Sequence, residues 1–301
     1  MKTKFKLVAL IVVVLIFAAL VYSCKSVEAM AKIAGATGII DQNTANAISQ
    51  SASAISKANE DMTPEQEYYI GRAVGANILA SYKVWNGNPT QTLYLNKICG
   101  ALVVNSSRPD IFNGYHVNIL DSAEVNAFAT SGGHIFVTRG LIDSANSEDT
   151  LAAVIAHEIA HIQLQHGLKA IKNSRFSQAI LVTATSAVGV ATGNDVAELT
   201  SVFNESIGEI LITMVNNGYS QSQEFEADSF ALSLLAAAGY EPSSLETMLN
   251  ALETSQGKHP GGFNKTHPTP AKRIESVKKE LSKYNIPDTM SHRTARYKAS
   301  I

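Results

Sequence analysis

The stretch Ala153–His166, AVIAHEIAHIQLQH, decides how the chain is read, because it carries His-Glu-x-x-His at His157, Glu158 and His161. On a helix turning about 100° per residue, the two histidines lie one turn apart on the same face and can grip one metal ion. Glu158 lies one residue further round, where it reaches a water beside the ion without being a ligand; zinc hydrolases place a general base there. Ser147, followed by Glu148 and Asp149, supplies an N-cap with acids in the first turn, and the helix is expected to run to about Lys172. His166 suggests metzincin spacing, but Leu164 stands where that pattern needs glycine, and His166 comes one residue early. On a continuing helix it would face about 180° from the metal side, so it is expected not to be a ligand.

A third protein ligand must come from elsewhere. Tyr219–Asp228, YSQSQEFEAD, runs into an amphipathic helix through Leu235, with Glu224 and Asp228 four apart on one face. Glu224 can complete the zinc set, and Asp228 can accept from the outer nitrogen of a ligand histidine and fix its tautomer. Glu226 points away and reads as a solvated charge. Taken alone, a Glu-x-x-x-Asp pair usually means surface acids; following a His-Glu-x-x-His helix, it becomes specific.

Upstream, Thr63-Pro64-Glu65-Gln66 reads as a capping box opening a helix to about Lys83, and Asn88-Pro89-Thr90-Gln91 as a second, to about Val104. Tyr115–Leu120, Asn126–Phe128 and His134–Thr138 read as strands by their β-branched and aromatic content, with a turn at Gly132-Gly133. An exposed edge strand beside the metal helix can take an extended peptide by strand addition, which makes Asn126, Ala127 and Phe128 the candidate substrate-binding residues. His134 reads as a strand-face histidine rather than a ligand. Between the two zinc helices, Phe176–Asn217 reads as a helical pair over the site, or as a lid.

The N-terminus is a targeting segment. Lys2, Lys4 and Lys6 precede an apolar run, Leu7–Val21, that is short for a membrane span of about 20 residues. Val21-Tyr22-Ser23-Cys24 resembles a bacterial lipobox, with Tyr22 where a small residue is usual; the resemblance implies that residues 1–23 are removed and Cys24 lipidated, with an uncleaved signal anchor as the alternative, and Lys25 after the cysteine favours the outer membrane by analogy with enterobacterial lipoproteins. Residues 24–61 form an anchor or linker with a helix marked by Ala45, Ile48, Ala52 and Ile55 and capped by Asp41. Residues 62–285 are the catalytic domain, and 286–301 a polar, mobile tail. The 301 residues carry a formal charge of −2 and no basic stripe, which excludes a nucleic-acid partner. Cys99, among Leu95, Ile98 and Leu102, reads as a buried small hydrophobe.

Across Met62–Lys283 the chain resembles the gluzincin family that contains the CAAX prenyl endopeptidases and the heat-shock membrane protease HtpX, especially its bacterial periplasmic lipoprotein branch. The resemblance rests on Asn126-Ala127-Phe128, Gly132-Gly133 and Val137–Leu141, on His157-Glu158-x-x-His161 with His166, on Glu224-Phe225-x-Ala227-Asp228, and on His267-Pro268 with Arg273-Ile274. Gln221 stands where the family usually has arginine, and Ser131 where it has proline. The resemblance implies a zinc endopeptidase with one Zn2+ held by His157, His161 and Glu224, Glu158 as base, and His267 and Arg273 as catalytic candidates for stabilising the oxyanion. His267, in a loop rich in proline and glycine, can alternatively swing onto the open metal position and hold the enzyme latent.

The expected fold is a zincin-like α+β domain, mainly helical, with a small sheet next to the metal helix. The expected substrates are misfolded or misassembled envelope proteins at a lipid-anchored, periplasmic address, with outer-membrane assembly machinery as a partner. The alternative is a chaperone or assembly factor that binds clients in the same cleft.

Overall fold

A computed structural model describes residues 24–39, 41–46, 48–50, 63–169, 208, 218–255, 266–267, 270–284 and 290–301. The chain divides into two compact units, Met1–Asp61 with Ile171–Ser206, and Met62–Ala170 with Ile207–Ile301. In the first unit, α1 runs Cys24–Ala36. Asp41 then caps a turn of helix, its carboxylate accepting from the Thr44 amide at 2.9 Å. The leader expected at 1–23, the apolar stripe at Ala52 and Ile55, and nearly all of 176–217 lie outside the described residues. No helix among the described residues is long and apolar enough to cross a membrane.

The second unit is α+β and mainly helical. Its elements are α2 (Pro64–Ser81), α3 (Pro89–Val103), β1 (His116–Leu120), β2 (Ala127–Thr130), β3 (His134–Thr138), α4 (Arg139–Ser144), α5 (Glu148–Gln163), α6 (Gln221–Ala237), α7 (Ser243–Ser255), α8 (Pro270–Leu281) and α9 (Met290–Ser300). Asn88 starts α3 by accepting from the Thr90 amide at 3.1 Å, with Pro89 at the first helical position. A full capping box opens α6, where Ser220 and Gln223 bond reciprocally.

The sheet order is β1-β3-β2. β1 runs parallel to β3 with His116 opposite His134, and β2 runs antiparallel to β3 with Phe128 opposite Phe136. Residues 83–85 cover the outer edge of β1, through Trp85 N–H to Ile119 O and Asp121 N–H to Lys83 O, both 2.8 Å. Among the described residues only β3 pairs with β2, so β2 is an edge strand. The β2–β3 turn needs its glycines: Gly132 and Gly133 take φ +77° and +94°. A Cβ on Gly132 would strike the backbone of Tyr68, and one on Gly71 the carbonyl of Ser131, so α2 lies backbone against backbone on this turn.

Every residue of α5 is buried. A helix buried on every side lies inside the domain, and its polar residues then need partners there. Leu151, Ile155 and Ile159 share one core with Leu95 and Leu102 of α3, Ile119 and Ile135 of the sheet, and Leu232, Leu235 and Leu249 of α6 and α7. Each such side chain contributes about 1.5–3 kcal/mol by leaving water. Cys99 belongs to the same core, where burial pushes its thiol up to about 12.

Two expectations need correction. The metal helix ends at Gln163, not near Lys172: Gln165 takes φ +55°, a left-handed turn that breaks the ladder before a short helical turn resumes at His166. The tail expected to be mobile from residue 286 is, over Met290–Ser300, a docked helix. Arg293 Nε donates to Asp149 Oδ2 and Arg296 Nε to Glu148 Oε2, at 2.8 and 2.7 Å, and the Tyr297 hydroxyl donates to Ala145 O at 2.7 Å. Glu148 and Asp149 are 1% and 2% exposed, and buried carboxylates require such partners.

Candidate metal centre

The metal helix α5 projects His157 and His161 from successive turns, α6 brings Glu224 across from them, and the loop before α8 brings His267. These four residues form a buried cluster able to hold a metal ion. His157 Nε2 lies 3.1 Å from His161 Nε2, 3.2 Å from His267 Nδ1 and 3.5 Å from Glu224 Oε2. Glu224 Oε1 lies 3.1 Å from His267 Nδ1 and 3.5 Å from His161 Nε2. Ligand bonds of about 2.0–2.1 Å at tetrahedral angles separate donors by about 3.3 Å, close to these spacings, and one ligand atom from each of the four residues lies within 4.8 Å of the others. Three imidazoles and a carboxylate are also the donor chemistry zinc prefers.

Around the donors, each outer atom is held. His157 Nδ1 lies 3.0 Å from Asp228 Oδ1. Asp228 in turn accepts from Arg273 Nε and Nη2 at 2.8 and 2.7 Å, and Arg273 Nη1 sits 2.7 Å from Glu224 Oε2. Arg273 is wholly buried and bonds both acids, with Nη2 also 3.4 Å from His157. Where an oxyanion role was expected, the structure shows Arg273 joining Glu224 to Asp228. Tyr219 stacks on His161 at 4.0 Å with the rings 18° apart.

Glu158 is 1% exposed, and neither carboxylate oxygen has a hydrogen-bond partner among the described residues. His267 Nε2 lies 3.6 Å from its Oε1. Burial pushes the Glu158 carboxyl above the ordinary carboxylate range, with His267 and His157 opposing. Burial works against the Glu224 carboxylate too, but Arg273 and His267 outweigh it and hold it well below that range. Burial and the neighbouring His157 keep His161 well below its usual value, the neutral form a metal ligand needs.

His166 was expected on the far side of the helix. Because the helix breaks at Gln165, the chain doubles back and His166 lies beneath His161, Nδ1 to Nδ1 at 2.9 Å. Glu226 is half exposed, as expected of a surface acid, yet its Oε2 lies 3.2 Å from His166 Nε2. His134 sits on β3 facing Tyr68, outside the cluster. Asn126 is 1% exposed and accepts from the Thr266 hydroxyl at 3.2 Å, linking the start of β2 to the loop that carries His267; Ala127 and Phe128 lie buried on β2.

Residues 89–281 match the family model described as peptidase family M48. The chain belongs to peptidase family M48. That family is one of peptidases, and the four-donor cluster has the ligand types zinc takes. Curated relatives include the mitochondrial metalloendopeptidase OMA1 of Schizosaccharomyces pombe, 28% identical over 214 residues, 70% of this chain and 58% of that one. Metalloprotease LoiP of Escherichia coli is 32% identical over 173 residues, 56% of this chain and 65% of that one. The beta-barrel assembly-enhancing protease of Escherichia coli is 25% identical over 215 residues, 70% and 42% of the two chains. The matched regions thus span about two-fifths to two-thirds of these M48 relatives' lengths.

Proposed function

We propose that this M48 chain is a zinc endopeptidase that hydrolyses peptide bonds in misfolded or misassembled cell-envelope proteins. The observation that carries the reading is Glu158: a fully buried carboxylate with no hydrogen-bond partner among the described residues, set beside a metal-sized cluster. Leaving such a group unsatisfied costs about 1–3 kcal/mol or more, a cost that chemistry explains and structure does not. His157, His161 and Glu224 would hold the zinc, which when bound supplies Lewis-acid activation of water and of the scissile carbonyl. Glu158 takes the proton of the attacking water and delivers it to the leaving amine, so the water's oxygen ends on the new carboxyl and its proton on the new amine. A carboxyl raised by burial suits both halves of that transfer near neutral pH. Asp228 and Arg273 keep His157 and Glu224 aimed while the proton moves.

β2 is last in the sheet order, and although Ala127–Thr130 are buried rather than exposed as expected, its main-chain groups on the side away from β3 would suit an extended peptide from an unfolded client, because main-chain bonds tolerate many sequences. The relatives named for beta-barrel assembly enhancement and LoiP support an envelope address. The lipobox-like Val21–Cys24 supports a lipoprotein, anchored through Cys24 at the periplasmic face of the outer membrane. His267 Nδ1 lies 3.2 Å from His157 Nε2 and 3.1 Å from Glu224 Oε1, and its Nε2 3.6 Å from the base, so it takes up space that water and substrate would need; this favours the latent form over an oxyanion role. A binding-only assembly factor has no use for an unpartnered base, so the enzyme is preferred to the chaperone reading.

The test is cleavage of casein by the full chain, with and without zinc, beside Glu158→Gln. Zinc-dependent cutting that disappears in the variant supports the proposal. Equal cutting by both, or client protection that persists in Glu158→Gln while the parent never cuts, would overturn it.

A further inference from the structure

We infer that His166 is a positioning residue for His161, and that Glu226 at the surface sets the state of both rings. The inference rests on the zinc reading of the cluster. His166 is fully buried, with its Nδ1 2.9 Å from His161 Nδ1 and its Nε2 3.2 Å from Glu226 Oε2. Lys169 Nζ lies 3.5 Å from the same Glu226 oxygen.

Two Nδ1 atoms facing one another share a single proton, and the cluster decides which owns it. His161 turns Nε2 towards the other donors, so a ligand lone pair must be there and the ring proton must sit on Nδ1. His166 Nδ1 must then accept, which places the His166 proton on Nε2, from where it is donated to Glu226. An ionised carboxylate only accepts, so Glu226 fixes the chain at its outer end. Every position in the relay has one consistent assignment.

The two ligand histidines are therefore supported differently. His157 reaches a carboxylate directly, at a fully buried Asp228. His161 reaches one through an intervening imidazole, and that acid is 53% exposed. A carboxylate behind a ligand histidine orients the ring and raises its basicity, and losing such a partner commonly costs 10–100-fold in metal affinity. Here the lever is at the surface.

Competition for zinc against a chromophoric chelator, in the full-length chain, tests this, together with the visible spectrum of the Co2+-loaded protein. His166→Leu removes the acceptor and should weaken zinc binding about 10–100-fold and shift the cobalt bands. His166→Asn, whose Oδ1 can accept from His161 Nδ1–H, should recover most of the affinity and the parental spectrum. Glu226→Gln, at an exposed position that spares folding, should cost less than His166→Leu and move the bands in the same direction. Parental affinity in His166→Leu overturns the inference, and so does an equal loss in Leu and Asn, which would mean packing alone. If the parent chain binds no zinc, it is the reading of the cluster that fails, before His166 is at issue.

Discussion

Replacing His267 by alanine should raise basal peptidase activity, and the size of the rise can be worked from what holds the histidine in place. Among the hydrogen bonds that hold Thr266 and His267 against the site, three reach other elements than the metal helix: His267 Nδ1 with Glu224 Oε1 at 3.1 Å, the Thr266 hydroxyl to Asn126 at 3.2 Å, and Tyr219 N–H to Thr266 O at 3.1 Å. At about 0.5–1.5 kcal/mol net for each, the closed state is favoured by about 1.5–4.5 kcal/mol, leaving between roughly one molecule in ten and one in a thousand open. Only the open fraction takes substrate, so apparent affinity falls by that fraction. His267→Ala vacates the fourth corner whatever the loop does, and kcat/KM on casein should rise about 10- to 1000-fold, mainly through KM, because saturating substrate already pulls the parent open. Thr266→Val cuts one tie and should move kcat/KM the same way by less. A fall in kcat of about a hundredfold at unchanged KM would refute the latch and make His267 an oxyanion donor.

Arg273→Met should destabilise the chain by about 3–5 kcal/mol, since it strips the guanidinium from two buried carboxylates, Glu224 and Asp228; for a domain of this size that is roughly 6–20 °C in Tm, read by calorimetry. Glu148 gives a pH signature. Burial opposes its ionisation, but bonds from Arg296, Tyr94 and Tyr240 outweigh this and lower its pKa. A carboxylate lowered in the folded state contributes stability that is present above its unfolded value, about 4.3, and is lost as pH falls through the folded one. Glu148→Gln should therefore flatten the acid limb of a urea-stability profile below about pH 4.5; an unchanged limb would refute the argument. Gly132→Ala should cost more than about 1 kcal/mol, from its φ of +77° and the collision with Tyr68, whereas Gly100→Ala, in an open stretch of α3, should gain about 0.5–1 kcal/mol. Urea midpoints of the two variants give the contrast.

The donors were legible because local periodicity is enough to place them: a four-residue spacing puts His157 with His161, and Glu224 with Asp228, whatever the tertiary fold. Cys99 and the strand segments were legible for a similar reason, as short apolar runs with clear boundaries. What periodicity missed depended on breaks or on long-range partners. His166 was misplaced because the half-turn argument assumed a continuous helix, and nothing in Leu164-Gln165 announces that glutamine will take a left-handed conformation usually left to glycine or asparagine. Arg273 entered as an oxyanion candidate through its place in the family motif, and sequence does not show that it bonds two acids 45 and 49 residues earlier. The docking of α9 was hidden likewise: Glu148 and Asp149 read as first-turn acids on grounds of helix polarity, and only their burial reveals that Arg293 and Arg296 must answer them.

The glycine seam between α2 and the β2–β3 turn has a mechanical consequence. Side chains between packed elements act as soft spacers, because rotamers adjust and absorb small displacements; where Gly71 and Gly132 let backbone rest on backbone, that compliance is missing. A tug or rotation of α2, whose first residue follows directly on the segment ahead of Pro64, therefore arrives at β2 almost undiminished. The turn that ends β2 is thus stiffly coupled to the helix behind it.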